Sequence, residues 1–323
     1  MFQGVFALSR HLSWFLAFAA PAVAAWGSSP GADHVFIISI DGGKPAVIAQ
    51  CRMPTLKRLA NEGAYTWRAS TIYPSVTLPS HASMLTGVGP AKHKIVWNVW
   101  KPDAGVVHVP TVFSEAKKAG YSTAMFVGKE KFRHLAVPGS LDCFHYNREQ
   151  SRELTKPILG SDQVEKSESV PAGMVAQDAA RYIREKRPNL CFIHFTDPDD
   201  IGHKYGWGSR EQVKAFEDVD EALGVVLQAL DAANITSESV VILTADHGGH
   251  GKTHGLNIPA DMEIPWVVWG RGVKRGFIIT EPVATFDTAV TALWLLNVPK
   301  LDSPDGQVVD SAFESRAASK TGG

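Results

Sequence analysis

Cysteine is scarce in this 323-residue chain: Cys51, Cys143 and Cys191 allow at most one intramolecular disulfide. Cys191 lies in an apolar run and reads as inert core, which leaves Cys51 with Cys143 as the pair that can form. Charge of one sign is also missing. With 32 Lys and Arg against 33 Asp and Glu, the formal net charge is −1, so no basic surface for nucleic acid is evident. No apolar run suits a stable membrane span, because the stretch from Leu12 to Val23 is too short and is broken by Pro21. There is no internal repeat, and no Ser-His-Asp order that would suggest a serine hydrolase triad.

What is present is 45% hydrophobic residues, enough to bury a large single core. Met1 to Arg10 is a short basic segment, Leu12 to Val23 is apolar, and Ala22-Val23-Ala24 ends it like a signal-peptidase site. Residues 1–25 are therefore expected to be a signal peptide and 26–323 a single catalytic domain, exported to the periplasm or secreted. Strand-like runs fall at His34 to Ile40, Ser122 to Val127, Leu190 to Phe195, Val240 to Ala245 and Pro265 to Trp269. Helical patterns cover Pro54 to Glu62, Thr111 to Ala119, Met174 to Lys186, Arg210 to Ala233 and Phe286 to Leu296. Such alternation predicts an α/β fold, a mostly parallel central sheet with helices on both faces. Lys129 to Pro171 is polar and aperiodic and reads as a small insertion or lid, and the tail after Pro304 as frayed.

The chemistry-bearing residues sit after these strands. Asp41 ends the first, Asp199 and His203 follow Phe195, and Asp246-His247 follow Ala245, so the rule that ligands bind beyond strand carboxyl ends brings them to one edge. Thr77 enters separately, in Tyr73-Pro74-Ser75-Val76-Thr77-Leu78-Pro79. A helix over Ser80 to Thr86 would set backbone N–H groups beside it for a phosphate oxygen. A threonine hydroxyl needs a base or a metal to become a nucleophile, and three aspartates with three histidines are ligands enough for two ions, zinc above all. Each residue alone has a plainer reading, Asp41-Gly42 as a turn and Asp199 with His203 as a helix start. Asp197 and Asp200 read as cap or turn carboxylates, and His81, His93, His108, His134, His145 and His194 as structural or surface residues.

Taken together, Asp41-Gly42, the Thr77 segment, Pro198-Asp199-Asp200-Ile201-Gly202-His203 and Asp246-His247-Gly248 stand in the order found in the type I phosphodiesterase/nucleotide pyrophosphatase branch of the alkaline phosphatase superfamily, which this chain resembles. The resemblance implies an alkaline-phosphatase-like α/β/α sandwich and attack by Thr77 on phosphorus through a covalent phospho-enzyme. It also implies two divalent metals, one held by Asp199 and His203, the other by Asp41, Thr77, Asp246 and His247. His254 is assigned as the third ligand of the first metal, with His250 as its rival. Asn98, twenty-one residues after Thr77, resembles the asparagine that holds a phosphate oxygen. The neighbouring Trp97, Val99 and Trp100 read as core, or as a wall for a substrate group.

Charge counting then narrows the substrate, a small phosphate ester. Two zinc ions add four charges, and the three aspartates and a Thr77 alkoxide remove four. A near-neutral site suits a singly charged diester. Lys129 and Lys131 follow Val127 on the same edge, and either can add a cation, although a lysine is more usually a solvated surface residue. With that cation, a phosphomonoesterase or phosphonate hydrolase is the alternative. A sulfatase is disfavoured, since no Cys-x-Pro-x-Arg setting surrounds Thr77. A non-enzymatic, exported metal-binding or interaction module with this fold is the third reading.

Overall fold

The computed structural model describes residues 1, 29–149, 169–299 and 301–314. The expected signal peptide and the end of the tail therefore lie outside the described residues, as does 150–168 of the expected lid. Among the described residues eight strands form one sheet: β1 (His34–Ile40), β2 (Ala64–Ser70), β3 (Thr123–Val127), β4 (Cys143–His145), β5 (Leu190–Phe195), β6 (Ser239–Ala245), β7 (Glu263–Gly270) and β8 (Phe277–Ile278). Their order is β4-β3-β5-β1-β6-β7-β2-β8. The run from β4 to β6 is parallel. β7 lies antiparallel to both β6 and β2, so two reversals return β2 to the direction of β6.

Strand residues alternate between the two faces, as the pleat requires. Val35, Ile37, Phe192 and Ile242 belong to one core, covered by helices Thr77–Thr86, Val112–Lys118 and Asp287–Leu295. Phe36, Ile38, Ile193 and Leu243 belong to the other, covered by helices Pro54–Glu62, Ala172–Lys186 and Arg210–Ala232. This is the α/β/α sandwich that the alternation of patterns predicts. Among the described residues no helix is long and apolar enough to cross a membrane.

Two expectations are corrected. Cys51 and Cys143 do not pair; all three cysteines are free. Cys143 lies on the outermost strand, in register with Ala124, which is itself in register with Cys191. Cys51 instead follows a helical turn, its thiol donating to the Val47 carbonyl. Residues 129–149, expected as part of an insertion or lid, belong to the body of the fold. Phe132 and Leu135 of the turn Glu130–Leu135 are fully buried, and Cys143–His145 is a strand of the sheet.

Candidate two-metal active site

Register puts the site at one edge. Ile40 is level with Phe195 on one side and Ala245 on the other, so Asp41, Thr196 and Asp246 leave the sheet in a row. β3 adds Gly128 and Lys129 beside them, and β2, running the same way, exits through Ser70 toward Thr77. Gly42 turns the chain at φ +70°, with Asp199 so close that a Cβ would lie 3.2 Å from its Cα. At Gly248 a Cβ would fall 2.2 Å from the Ala260 carbonyl oxygen, so only glycine fits after Asp246-His247.

The three aspartates are almost wholly buried, and each divides its oxygens. Asp41 Oδ2 takes Lys129 Nζ at 2.7 Å and His194 Nε2 at 3.0 Å. Asp199 Oδ2 takes Lys129 Nζ at 2.6 Å. Asp246 Oδ1 accepts the backbone N–H groups of Gly42 and His247, at 3.1 and 3.0 Å. The other oxygens, Asp41 Oδ1, Asp199 Oδ1 and Asp246 Oδ2, are buried with no hydrogen-bond partner. A buried carboxylate oxygen left so is costly, and three together describe a cation site.

The histidines are prepared in the same way. His247, His254 and His203 each set Nδ1 against a backbone carbonyl, of Gly248 (2.8 Å), Ser75 (2.8 Å) and Lys252 (3.0 Å). A carbonyl can only accept, so Nδ1 carries a proton, and in the neutral ring Nε2 keeps a lone pair, the tautomer a metal needs; His247, raised to about 9, holds a second proton on Nε2 that a metal would displace. His247 Nε2 lies 3.3 Å from Asp41 Oδ1, 3.2 Å from Asp246 Oδ2 and 3.5 Å from Thr77 Oγ1. His203 and His254 place Nε2 3.4 and 3.6 Å from Asp199 Oδ1. Two ligand groups result: Asp199, His203 and His254, and Asp41, Asp199 and His247, with Asp246 adjoining the second. The donor set, nitrogen and oxygen with open positions, fits zinc-type dications. His250 is elsewhere, its Nδ1 2.7 Å from Asp261 Oδ1.

Thr77 begins a fully buried helix and is itself 1% exposed. The helix starts three residues before the expected position, and its amides are not free in the way expected. Leu78 N–H donates to Asn98 Oδ1 at 2.8 Å, and Pro79 has no N–H. Lys131 Nζ donates to the same Asn98 oxygen at 3.2 Å. Two donors on one atom fix the amide orientation, with the NH2 on the other side. Asn98, Val99 and Trp100 line a cavity of about 830 Å³ with Thr77, Lys131 and His254. Asp197 caps the neighbouring helix, accepting the Ala172 N–H at 2.8 Å.

The surface reading of Lys129 is corrected. It is 7% exposed because its ammonium bridges Asp41 and Asp199. Burial opposes its charge, but the attraction of Asp199, Asp41 and Asp200 outweighs that and raises its pKa. Burial and the neighbouring Asp41 hold the Asp246 carboxyl well above the usual range. Burial opposes the charge of His247 too, yet Asp246 and Asp41 raise its pKa to about 9, while burial and His247 push His254 down to about 4.

Sequence reasoning also passed over His81 and His194, which are buried beside the ligands rather than remote. His81 Nδ1 donates to the Thr77 carbonyl at 2.8 Å and lies 3.6 Å from Asp246 Oδ2, and its Nε2 meets Ser39 Oγ. His81 stands one helical turn after Thr77, and His194 shares a β5 face with Leu190 and Phe192. Those two periodicities were the available signals. Trp207, whose indole donates to the Gly42 carbonyl at 3.2 Å, packs edge-on against His203.

A mixed sheet with acidic and histidine ligands beyond its carboxyl ends, and a hydroxyl at a helix start, defines an alkaline-phosphatase-like fold. The family profile for type I phosphodiesterase / nucleotide pyrophosphatase matches residues 35–254, and the chain belongs to that family. Ectonucleotide pyrophosphatase/phosphodiesterase family member 1 of Rattus norvegicus is 27% identical over 210 residues, 61% of this chain and 21% of that protein. Venom phosphodiesterase 2 of Crotalus adamanteus is 25% identical over 219 residues, 66% of this chain and 26% of the other. The match thus spans only about a fifth to a quarter of those relatives. Murine ectonucleotide pyrophosphatase/phosphodiesterase 5, solved as an inactive variant with AMP, superposes with a TM-score of 0.69 at 15% identity, covering 87% of this chain and all of that one. The phosphonate monoester hydrolase of Silicibacter pomeroyi gives 0.66 at 16%, covering 89% of this chain and 78% of the other. At these identities the structures speak for the fold alone.

Proposed function

We propose that this protein is an exported phosphoester hydrolase in which Thr77 is the nucleophile and two divalent metals are held by Asp41, Asp199, His203, Asp246, His247 and His254. The observation that carries the reading is the convergence of three unpartnered buried carboxylate oxygens and three imidazole Nε2 atoms beside the Thr77 hydroxyl. Two dications there would act as Lewis acids on the phosphoryl group and lower the pKa of the hydroxyl. The chain's own residues do the rest. The carbonyls behind the histidines keep their ring orientation, and His194 with Lys129 holds Asp41 from the far side. Thr77 Oγ1 forms a bond to phosphorus as the ester P–O bond breaks, its proton passing through solvent to the leaving oxygen, and one water then restores the Thr77 hydroxyl and releases a phosphomonoester from a diester, or phosphate from a monoester. The Asn98 NH2 supports the phosphoryl oxygen that gains charge. Family membership supports phosphodiester or pyrophosphate chemistry. Lys129 is charge that the ligand count omitted, and it favours the second reading, a phosphomonoesterase or phosphonate hydrolase on the same metals. Export rests on the basic-then-apolar pattern of the first 24 residues.

The test is Thr77→Ala. Its hydroxyl has one long contact, 3.5 Å to His247, so the fold and the metal content should survive while turnover falls by at least about a thousandfold. Thr77→Ser should retain part of the rate. Near wild-type ester hydrolysis by Thr77→Ala would remove the nucleophile assignment.

A further inference from the structure

Lys129 and Lys131 place two ammonium groups in one cavity with Thr77. Lys129 is spent on the Oδ2 atoms of Asp41 and Asp199, which leaves their Oδ1 atoms for metal, so its charge persists when the site is loaded. Lys131 is half-buried and uses one of its three N–H donors on Asn98 Oδ1, the residue proposed to hold a phosphoryl oxygen. Burial and the neighbouring charge of Lys129 lower its pKa, against the attraction of Asp41, Asp199 and Asp246.

From these observations we infer that the site selects a terminal, doubly charged phosphoryl group, a phosphate monoester, over a diester, with Lys131 as the specificity-determining residue. The inference rests on the hydrolase reading above. Metals, ligand aspartates and a Thr77 alkoxide sum to zero; Asp200, 3.6 Å from Lys129, offsets one of the two lysine charges, and Lys131 leaves positive charge facing the cavity. The second anionic oxygen of a monoester dianion meets it. A diester carries one charge and puts an ester group where a second anionic oxygen would take the free donors of Lys131. The balance is that of hydrolysis: as Thr77 Oγ bonds to phosphorus and the ester P–O bond breaks, the hydroxyl proton passes through solvent to the leaving alkoxide, and one water then adds to phosphorus, returns a proton to Thr77 Oγ and frees inorganic phosphate.

The experiment compares the zinc-loaded protein with Lys131→Met and Lys131→Arg. The readouts are kcat/KM on 4-nitrophenyl phosphate and bis(4-nitrophenyl) phosphate, and calorimetric binding of inorganic phosphate and dimethyl phosphate. Wild type should favour the monoester, and Lys131→Met should lower the monoester-to-diester ratio by about ten- to a hundredfold, the loss of one charged hydrogen bond. Arginine should restore most of it, and inorganic phosphate should bind correspondingly more weakly to the methionine variant. A diester preference in the wild type overturns the inference, as does a ratio unchanged in Lys131→Met. If neither ester is cleaved, the hydrolase reading fails. Phosphate binding then decides the selectivity: Lys131-dependent uptake supports it, and its absence overturns it.

Discussion

Removing His254 should empty one metal position and spare the other. Its Nε2 lies 3.6 Å from Asp199 Oδ1, in a group completed only by His203, whereas Asp41, Asp246 and His247 converge without it. Loss of a residue that merely orients a ligand costs about ten- to a hundredfold in metal affinity. Loss of one ligand in three should cost at least the upper end, about 2.8 kcal/mol at 1.4 kcal/mol per decade. Structural damage is smaller. His254→Ala leaves the Ser75 carbonyl without its donor, roughly 1 kcal/mol. It also removes a ring stacked on His247 at 3.6 Å and 11°, about another 0.5–1.5 kcal/mol.

The control is His250→Ala, whose ring is tied to Asp261 rather than to the cluster. Asp261 still holds the loop through the Leu256 N–H, at 2.9 Å, so metal affinity should change by less than about threefold. Both variants are stripped of metal and titrated with zinc against a chromophoric chelator. Wild type and His250→Ala should take up two ions, and His254→Ala one tightly and one at least about a hundredfold more weakly. The reverse order would move the ligand to His250, and two unaltered sites in His254→Ala would refute the reasoning that built the first group.

Asn98→Ala should lower turnover by about ten- to a thousandfold with little change in zinc content, since its amide supports developing charge and touches no carboxylate; steady-state kinetics with elemental analysis checks both. Lys129→Met leaves two buried carboxylate oxygens without a cation, so the metal-free protein should lose about 3–5 kcal/mol while the zinc-bound form loses less, widening the gap between their unfolding midpoints in denaturant. His93, buried and lowered to about 4 by desolvation, accepts the Ile95 N–H at Nδ1 (3.1 Å) and so must be neutral when folded. The unfolded chain takes up this proton below about pH 6.5 and the folded one only near 4, so stability should fall by about 3 kcal/mol across that window on acidification, and His93→Gln should flatten that slope in chemical denaturation.

How much of this was legible in the sequence depends on what each residue packs against. The central strands β1, β5 and β6 are buried on both faces, so continuous Val, Ile and Phe betray them with boundaries right to within a residue. β2 was missed because it lies toward the margin of the sheet: Tyr65, Trp67 and Arg68 are partly or fully exposed, and the polarity alternates too loosely to separate it from a loop. β4 and β8 have only three and two residues, too few for an alternation to repeat. The ligand motifs were legible for a topological reason. Parallel strands deliver their carboxyl ends to one edge, so an acidic residue after an apolar run carries its address with it.

Lys129 shows where that reasoning stops. The edge rule placed it correctly, but composition then argued it into solvent, because an unpaired lysine almost never pays for burial. Its partners are 88 and 70 residues away along the chain, and only the row formed by β3, β5 and β1 brings them within 2.7 Å. The same row explains why the charge count from ligands alone came out neutral. That count summed residues recognisable one by one, and Lys129 acquires its meaning only from two carboxylates that each turn one oxygen to it and leave the other unpartnered. On the proposed reading, the charge open to a substrate depends on spatial neighbours of the motifs, and the motifs cannot report it.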